Sequence, residues 1–172
     1  MFYILNKFKG GNKLMKQKIT TVIKMLFGVS LGYAGGVMLN KKAADKQKKH
    51  VDKFKLYYKI LNQWMIFLHQ GKKIDGYFIQ KNYKKIAIYG MGELGNRLYE
   101  ELENSNVEIA YVIDQEASSV FAEVEAREPD EVLEEVDAII VTAVFDFDAI
   151  AEELSNKLSC PVISLEEVIE EL

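Results

Sequence analysis

Three glycines and one aspartate carry the spacing in this chain that points most directly to chemistry. Gly90-Met91-Gly92-Glu93-Leu94-Gly95 follows the apolar run 86–89 at once, and Asp114 stands 24 residues after Gly90, at the end of a second apolar run, 107–113. In a strand–turn–helix–strand unit each of these residues has a physical task. Gly90 permits a tight turn off the strand, Gly92 lets a pyrophosphate approach the backbone, and Gly95 lets helix and strand pack closely. The helix start offers free N–H groups and a partial positive charge to phosphate oxygens. Asp114 is placed to accept hydrogen bonds from ribose hydroxyls and to repel a 2′-phosphate. The expected binding set is therefore Gly90, Met91, Gly92, Glu93, Leu94, Gly95 and Asp114. Thr142 and Ala143 join it because, with Phe145, they follow a later strand and should border the same crevice. A dinucleotide such as NAD is the ligand this pattern suits. A competing reading keeps the glycines for packing alone, with no ligand. Arg97, in the first helical turn, is either a phosphate contact or half of a surface ion pair.

Other chemistries find little support. Two histidines (His50, His69) and one cysteine (Cys160) argue against a histidine-rich metal centre, a multi-cysteine zinc site or a disulfide framework. Cys160 precedes Pro161 at a strand entrance and reads as a small buried hydrophobe. Tyr77–Lys81 and Tyr3–Lys7 match Tyr-x-x-x-Lys, in which the lysine lowers the tyrosine pKa for proton transfer, but both precede the glycine motif and read as chance. No catalytic residue is assigned.

The elements that must position the glycines follow from periodicity. Strands are expected at 86–89, 107–113, 120–125, 138–142 and 162–164, with helices at 96–103, 129–135 and 146–158. Ser164-Leu165-Glu166-Glu167 reads as a capping box opening a last helix to Leu172. Strands alternating with helices mean an α/β fold, a doubly wound, Rossmann-like parallel sheet of about five strands.

Charge divides the chain in two. Residues 1–85 hold 19 lysines against three aspartates, a net of +16, whereas residues 86–172 hold three cations against 23 acids, a net of −20. The expected organisation is a basic N-terminus with an apolar segment (1–42), an amphipathic helix and connector (43–83) and the nucleotide-binding domain (84–172). Met25–Leu39 is fifteen uncharged residues, and extension back to Ile19 reaches a membrane-spanning length broken only by Lys24. Gly28, Gly32 and Gly36 recur on one face, a spacing that lets helices approach closely in lipid and predicts a homo-oligomer through this segment. An interfacial helix, a glycine-rich loop and a cleaved signal peptide are the alternatives, the last opposed by the absence of a small-x-small site after Leu39. The heavier lysine cluster, eight in residues 41–59 against five in 1–18, favours a membrane-associated chain with its C-terminal domain facing the cytoplasm. Lysine without arginine in this half suits anionic membrane lipids better than nucleic acid. From Ala43 to Gln70 a helix is expected, its stripe of Val51, Phe54, Tyr57 or Tyr58, Leu61, Trp64 or Met65, and Leu68 packing on the following domain or on a second copy, with Gly71 as its stop.

The segments KKIAIYGMGELGNRLYEEL, VEIAYVID, DAIIVTA and PVISLEEV resemble the small nucleotide-binding Rossmann domain of bacterial surface-polysaccharide loci. Similar domains form the N-terminal part of sugar O-acyltransferases and the cofactor half of nucleotide-sugar epimerases. The resemblance covers Lys84–Leu172. It implies a nucleotide-sugar or dinucleotide at Gly90, Gly92, Gly95 and Asp114, and a polysaccharide-biosynthesis enzyme as partner. No tyrosine–lysine pair and no acyltransferase hexapeptide repeats follow the glycine motif, so the domain is expected not to turn over its ligand alone. An epimerase- or oxidoreductase-like subunit completed by a partner, and a vestigial interaction domain, are the competing functions.

Overall fold

The computed structural model describes residues 21, 24, 25 and 42–172. The chain divides into two compact units, Met1–Asp52 and Lys53–Leu172. In the first, residues 42–52 are helical and exposed. The expected membrane segment, 19–39, with its Gly28, Gly32 and Gly36 face, lies outside the described residues save for Thr21, Lys24 and Met25. Among the described residues no helix is long and apolar enough to cross a membrane.

The second unit is α/β, built on a five-stranded, all-parallel sheet. Its strands are β1 (Lys85–Tyr89), β2 (Glu108–Ile113), β3 (Ala126–Arg127), β4 (Ala138–Val141) and β5 (Val162–Ser164), in the order β3-β2-β1-β4-β5. β4 is buried at all four residues and β1 at all but the first, as expected for strands covered on both faces. The two-residue side-chain alternation builds two cores. Ile86, Ile88, Val112 and Ile140 face one; Ala87, Tyr89, Tyr111, Ile113, Ile139 and Val141 face the other. The helical run 42–69 (α1), α2 (Asp75–Lys81), α3 (Glu93–Leu102) and α5 (Leu165–Glu170) supply residues to the first core, and α4 (Phe147–Ser155) to the second.

Helix ends follow local chemistry. α1 stops at Gly71, φ +76°, where the Lys72 amide donates to Phe67 O at 3.0 Å and the Gly71 amide to Leu68 O at 2.9 Å, the paired bonds of a Schellman motif. Asn82, φ 59°, ends α2 the same way, through Tyr83 N to Phe78 O and Asn82 N to Ile79 O. Ser164 does cap α5, but its hydroxyl accepts from the Glu166 amide at 3.2 Å, not from Glu167. The helix after the glycines begins three residues earlier than expected, because Gly92 itself is its N-cap residue.

Two expectations fail between β2 and β4. Residues 120–125 are not a strand; pairing with β2 begins only at Ala126. The alternation was real, since Val120, Ala122 and Val124 pack on the core while Phe121 is 98% exposed, but it reports burial and not a ladder. Residues 129–135 are turn and irregular chain, with no helix. The Pro129 and Val132 carbonyls accept side-chain bonds from Lys157 and Arg127, which occupy the groups a helix would use.

The stripe on α1 is likewise divided. Ile60 and Trp64 are buried and Tyr57 and Phe67 half-buried against the first core, whereas Phe54, Tyr58, Leu61, Met65 and Leu68 are exposed. Lysines of the basic half meet the acidic C-terminus directly: Lys59 contacts Glu166 and Glu170 at 2.8 and 3.0 Å, and Lys81 contacts Glu171 at 2.8 Å.

Candidate functional site

The strand order reverses at β1 and β4, so the chain leaves these neighbouring strands in opposite directions and opens a crevice at their carboxyl ends. A cleft of about 460 Å³ lies there, bounded by Tyr89, Gly90, Gly92, Glu93, Leu94, Asp114, Thr142 and Ala143. These include seven of the nine expected site residues. Met91 is turned into the first core and borders a smaller recess of about 210 Å³ that Asp114 also lines. Gly95 is buried beneath the turn.

The three glycines prove unequal. Gly90 has φ +91°, a backbone region that side chains rarely adopt, and a Cβ there would lie 3.1 Å from Thr142 Oγ1. At Gly95 a Cβ would stand 1.9 Å from the Gly90 carbonyl oxygen, a backbone atom that cannot move aside. Nothing lies within 4 Å of a Cβ on Gly92, which is exposed with φ −76° and ψ −160°. Two glycines are required by the fold, and the third, at the cleft, is required by nothing in the chain.

The turn is held from both neighbouring strands. The Gly90 amide donates to Ile113 O at 2.8 Å, and the buried Thr142 donates its hydroxyl to the Gly90 carbonyl and its amide to the Tyr89 carbonyl, which also lies 3.1 Å from the hydroxyl. Thr142 is thus a clamp on the turn as well as a wall of the cleft. Asp114 is tied down too. Its carboxylate accepts from the Met91 amide at 2.7 Å through Oδ2 and from the Glu116 amide at 2.9 Å through Oδ1. Each oxygen retains a further acceptor site, so ribose hydroxyls can still be received, but the side chain also couples β2 to the glycine turn. Gly92 supplies no side-chain cap to α3, so the first-turn amides remain open.

The electrostatics are mixed. Glu93, Asp114, Asp146 and Glu153 line the cleft, a field that opposes an anion. Burial first, then the Glu153 and Asp114 carboxylates, pushes the Tyr89 hydroxyl above its ordinary pKa, so at neutral pH it remains a protonated donor. The opposing charge is Lys53, which with Tyr57 borders the cleft from α1, its ammonium 5.5 Å from the Tyr57 ring centre. Sequence reasoning missed both residues; Lys53 is one lysine among many, and nothing local marks it. Arg97 is in a surface ion pair with Glu100 and does not border the cleft. Phe145 lies outside it as well, bordering a separate groove beside α5.

Of the remaining candidates, Tyr3–Lys7 lies outside the described residues, and Tyr77 and Cys160 have structural roles. Tyr77 is buried, its hydroxyl pushed up to about 12 by desolvation, and it packs edge-on against Phe78 at 5.4 Å. Half-buried Cys160 has its thiol pushed up by burial, away from the reactive thiolate. Among the described residues no cluster of His, Cys, Asp and Glu could hold a metal ion.

No curated protein and no solved structure gives a significant match to the chain. Residues 82–162 match the family model described as C2185-like, N-terminal, a stretch just under half of the chain that runs from the end of α2 to the start of β5 and includes the whole glycine turn, so the chain is similar to that family across the part of the sheet that builds the cleft.

Proposed function

We propose that the second unit is a Rossmann-like module that binds a dinucleotide (NAD) or a nucleotide-sugar in the cleft above β1 and β4, without turning it over by itself. The observation that carries this reading is Gly92. The fold accounts for Gly90 and Gly95, while the space a Cβ would take at Gly92 is free of protein and opens on the cleft. A diphosphate brought against that backbone would meet the uncapped first turn of α3, with Lys53 at the rim. Glu93, Leu94 and Ala143 would supply the walls, and Asp114 would receive ribose hydroxyls and disfavour a 2′-phosphate. The lysine-rich N-terminal half would hold the module on anionic membrane lipids at the cytoplasmic face, as an accessory to a bacterial surface-polysaccharide enzyme.

One observation favours a second reading, a glycine turn retained only for packing: both Asp114 oxygens already accept backbone amides. Titration calorimetry on the full chain with NAD, NADP and UDP-sugars separates the two. Binding of NAD or a UDP-sugar is expected, with NADP weaker. Gly92→Val should abolish that heat while leaving the chain folded, its melt lowered by no more than a few degrees for the poorer N-cap residue, since nothing in the chain occupies the space. Absence of heat with every ligand at millimolar concentration would establish the packing reading. Asp114→Ala is a poorer probe, because it removes two backbone contacts together with any ribose contact.

A further inference from the structure

We propose that the exposed stripe of α1 is the seam of a homodimer, covered by α1 of a second copy lying antiparallel to it. Phe54, Tyr58, Leu61, Met65 and Leu68 are 71, 72, 39, 54 and 37% exposed, although the opposite side of the same helix is packed on the core. Their steps of four, three, four and three residues are the 3.5-residue repeat that keeps a narrow apolar seam facing a partner helix. In the sequence Val51 continues the repeat one step upstream.

A lipid surface is the poorer occupant. A helix lying on a membrane presents a broad apolar face with cations along both flanks. Here the stripe is about 100° wide, bordered on one side by Lys55, Asn62 and His69 and on the other by residues committed to the core. The exposed part of the stripe amounts to roughly 600 Å² per copy, so pairing would bury about 1,200 Å², the lower bound for a specific interface.

The residue types select the antiparallel arrangement. Opposed in that sense, Phe54 meets Met65 of the second copy and Tyr58 meets Leu61, so each layer sets a ring against a smaller or softer side chain. A parallel pair would stack Tyr58 on Tyr58 and Phe54 on Phe54, and would align Lys53, Lys55 and Lys59 with their own copies. Antiparallel pairing sets that basic end beside the uncharged stretch 60–68.

Light scattering on the full chain, with disulfide trapping in a Cys160→Ser background, tests this. At about 100 µM the wild type should have twice the mass of the 19.7 kDa chain, and Tyr58→Lys with Leu61→Lys should run as a single chain that still melts cooperatively, at a midpoint that no longer rises with protein concentration. Phe54→Cys and Met65→Cys together should form crosslinked dimers on oxidation. Either alone should not, because like positions then sit some 16 Å apart along the axis. A monomeric wild type, a double-lysine variant that stays dimeric, or a wild type that is monomeric until anionic vesicles capture it through this stripe would each overturn the proposal. Crosslinking of either single-cysteine variant to itself would overturn the antiparallel seam.

Discussion

The turn from β1 into α3 and the segment from Asp114 to Asp137 both lie beside β2, yet close backbone packing dominates the first and partly exposed side chains the second. In the turn, backbone meets backbone: Gly95 lies against the Gly90 carbonyl, the Gly90 amide reaches Ile113, and Thr142 and Asp114 fasten the loop from either side. The later segment has a two-residue strand and a few short-range backbone turns, and side chains join these to one another and to β2. Arg127 lies over the Tyr111 ring at 4.8 Å, contacts Glu125 and Glu134 at 2.6 and 3.2 Å, and donates to Val132 O at 3.1 Å. Tyr111 in turn donates to Glu134 O at 2.6 Å. The difference teaches where tolerance should lie. Steric contacts between backbones fail abruptly, whereas a network of partly exposed charges loosens by degrees.

The largest effect is expected at the first site. Gly95→Ala would place a methyl 1.9 Å from the Gly90 oxygen, so the helix must move off the strand. A loss of about 3 kcal/mol or more is expected in urea unfolding, near the upper range for single substitutions. Stability within 1 kcal/mol of wild type would break the comparison.

Arg127→Ala should cost less, about 1–2 kcal/mol, because its side chain is only 13% exposed but its partners are more than half exposed. The loss should appear first as faster amide exchange in residues 115–137, with β1 and α3 protected as before. Equal loosening of both regions would show that the segment is not an independent layer.

Asp137 offers the smallest and most selective test, at the far end of the sheet. Its carboxylate accepts from the Lys85 and Lys84 amides at 2.8 and 2.7 Å, and these bonds hold its pKa below the ordinary value. A depressed folded pKa contributes stability above the unfolded value, and that contribution is lost as pH falls through the folded one. Below about pH 4 the wild type should therefore lose stability more steeply than Asp137→Asn, read from urea midpoints between pH 3 and 6. Parallel curves would show that Asp137 does not couple β1 to the start of β4 in this way.

The parts of the fold legible in the sequence are those where the cause is local. β1, β2, β4 and β5 are short apolar runs between polar segments, too short for a buried helix and of the composition a covered strand has. Gly71 ends α1 through contacts reaching no further than five residues back. The glycine spacing marked the turn because one of its constraints is local, the Gly90 carbonyl standing five residues away where a Gly95 Cβ would be. The strand expected at 120–125 and the helix at 129–135 failed because alternation and proline position are permissive: they state what a segment can bury, not which backbone it will pair with.

The rest was decided by assembly. α1 carries two apolar stripes, and local periodicity treats them alike; only the docking of Ile60 and Trp64 on the sheet determines which is buried and which is left for another surface. Lys53 and Tyr57 reach the cleft from some 35 residues before the glycines, and Thr142 clamps the turn from some 50 residues after them. Gly90, Gly92 and Gly95 are the same residue in the sequence. They differ only in what stands beside each missing Cβ, and at Gly90 and Gly95 the atoms that stand there, Thr142 Oγ1 and the Gly90 carbonyl, are brought into place by the packing of strands and helix that only the folded chain provides.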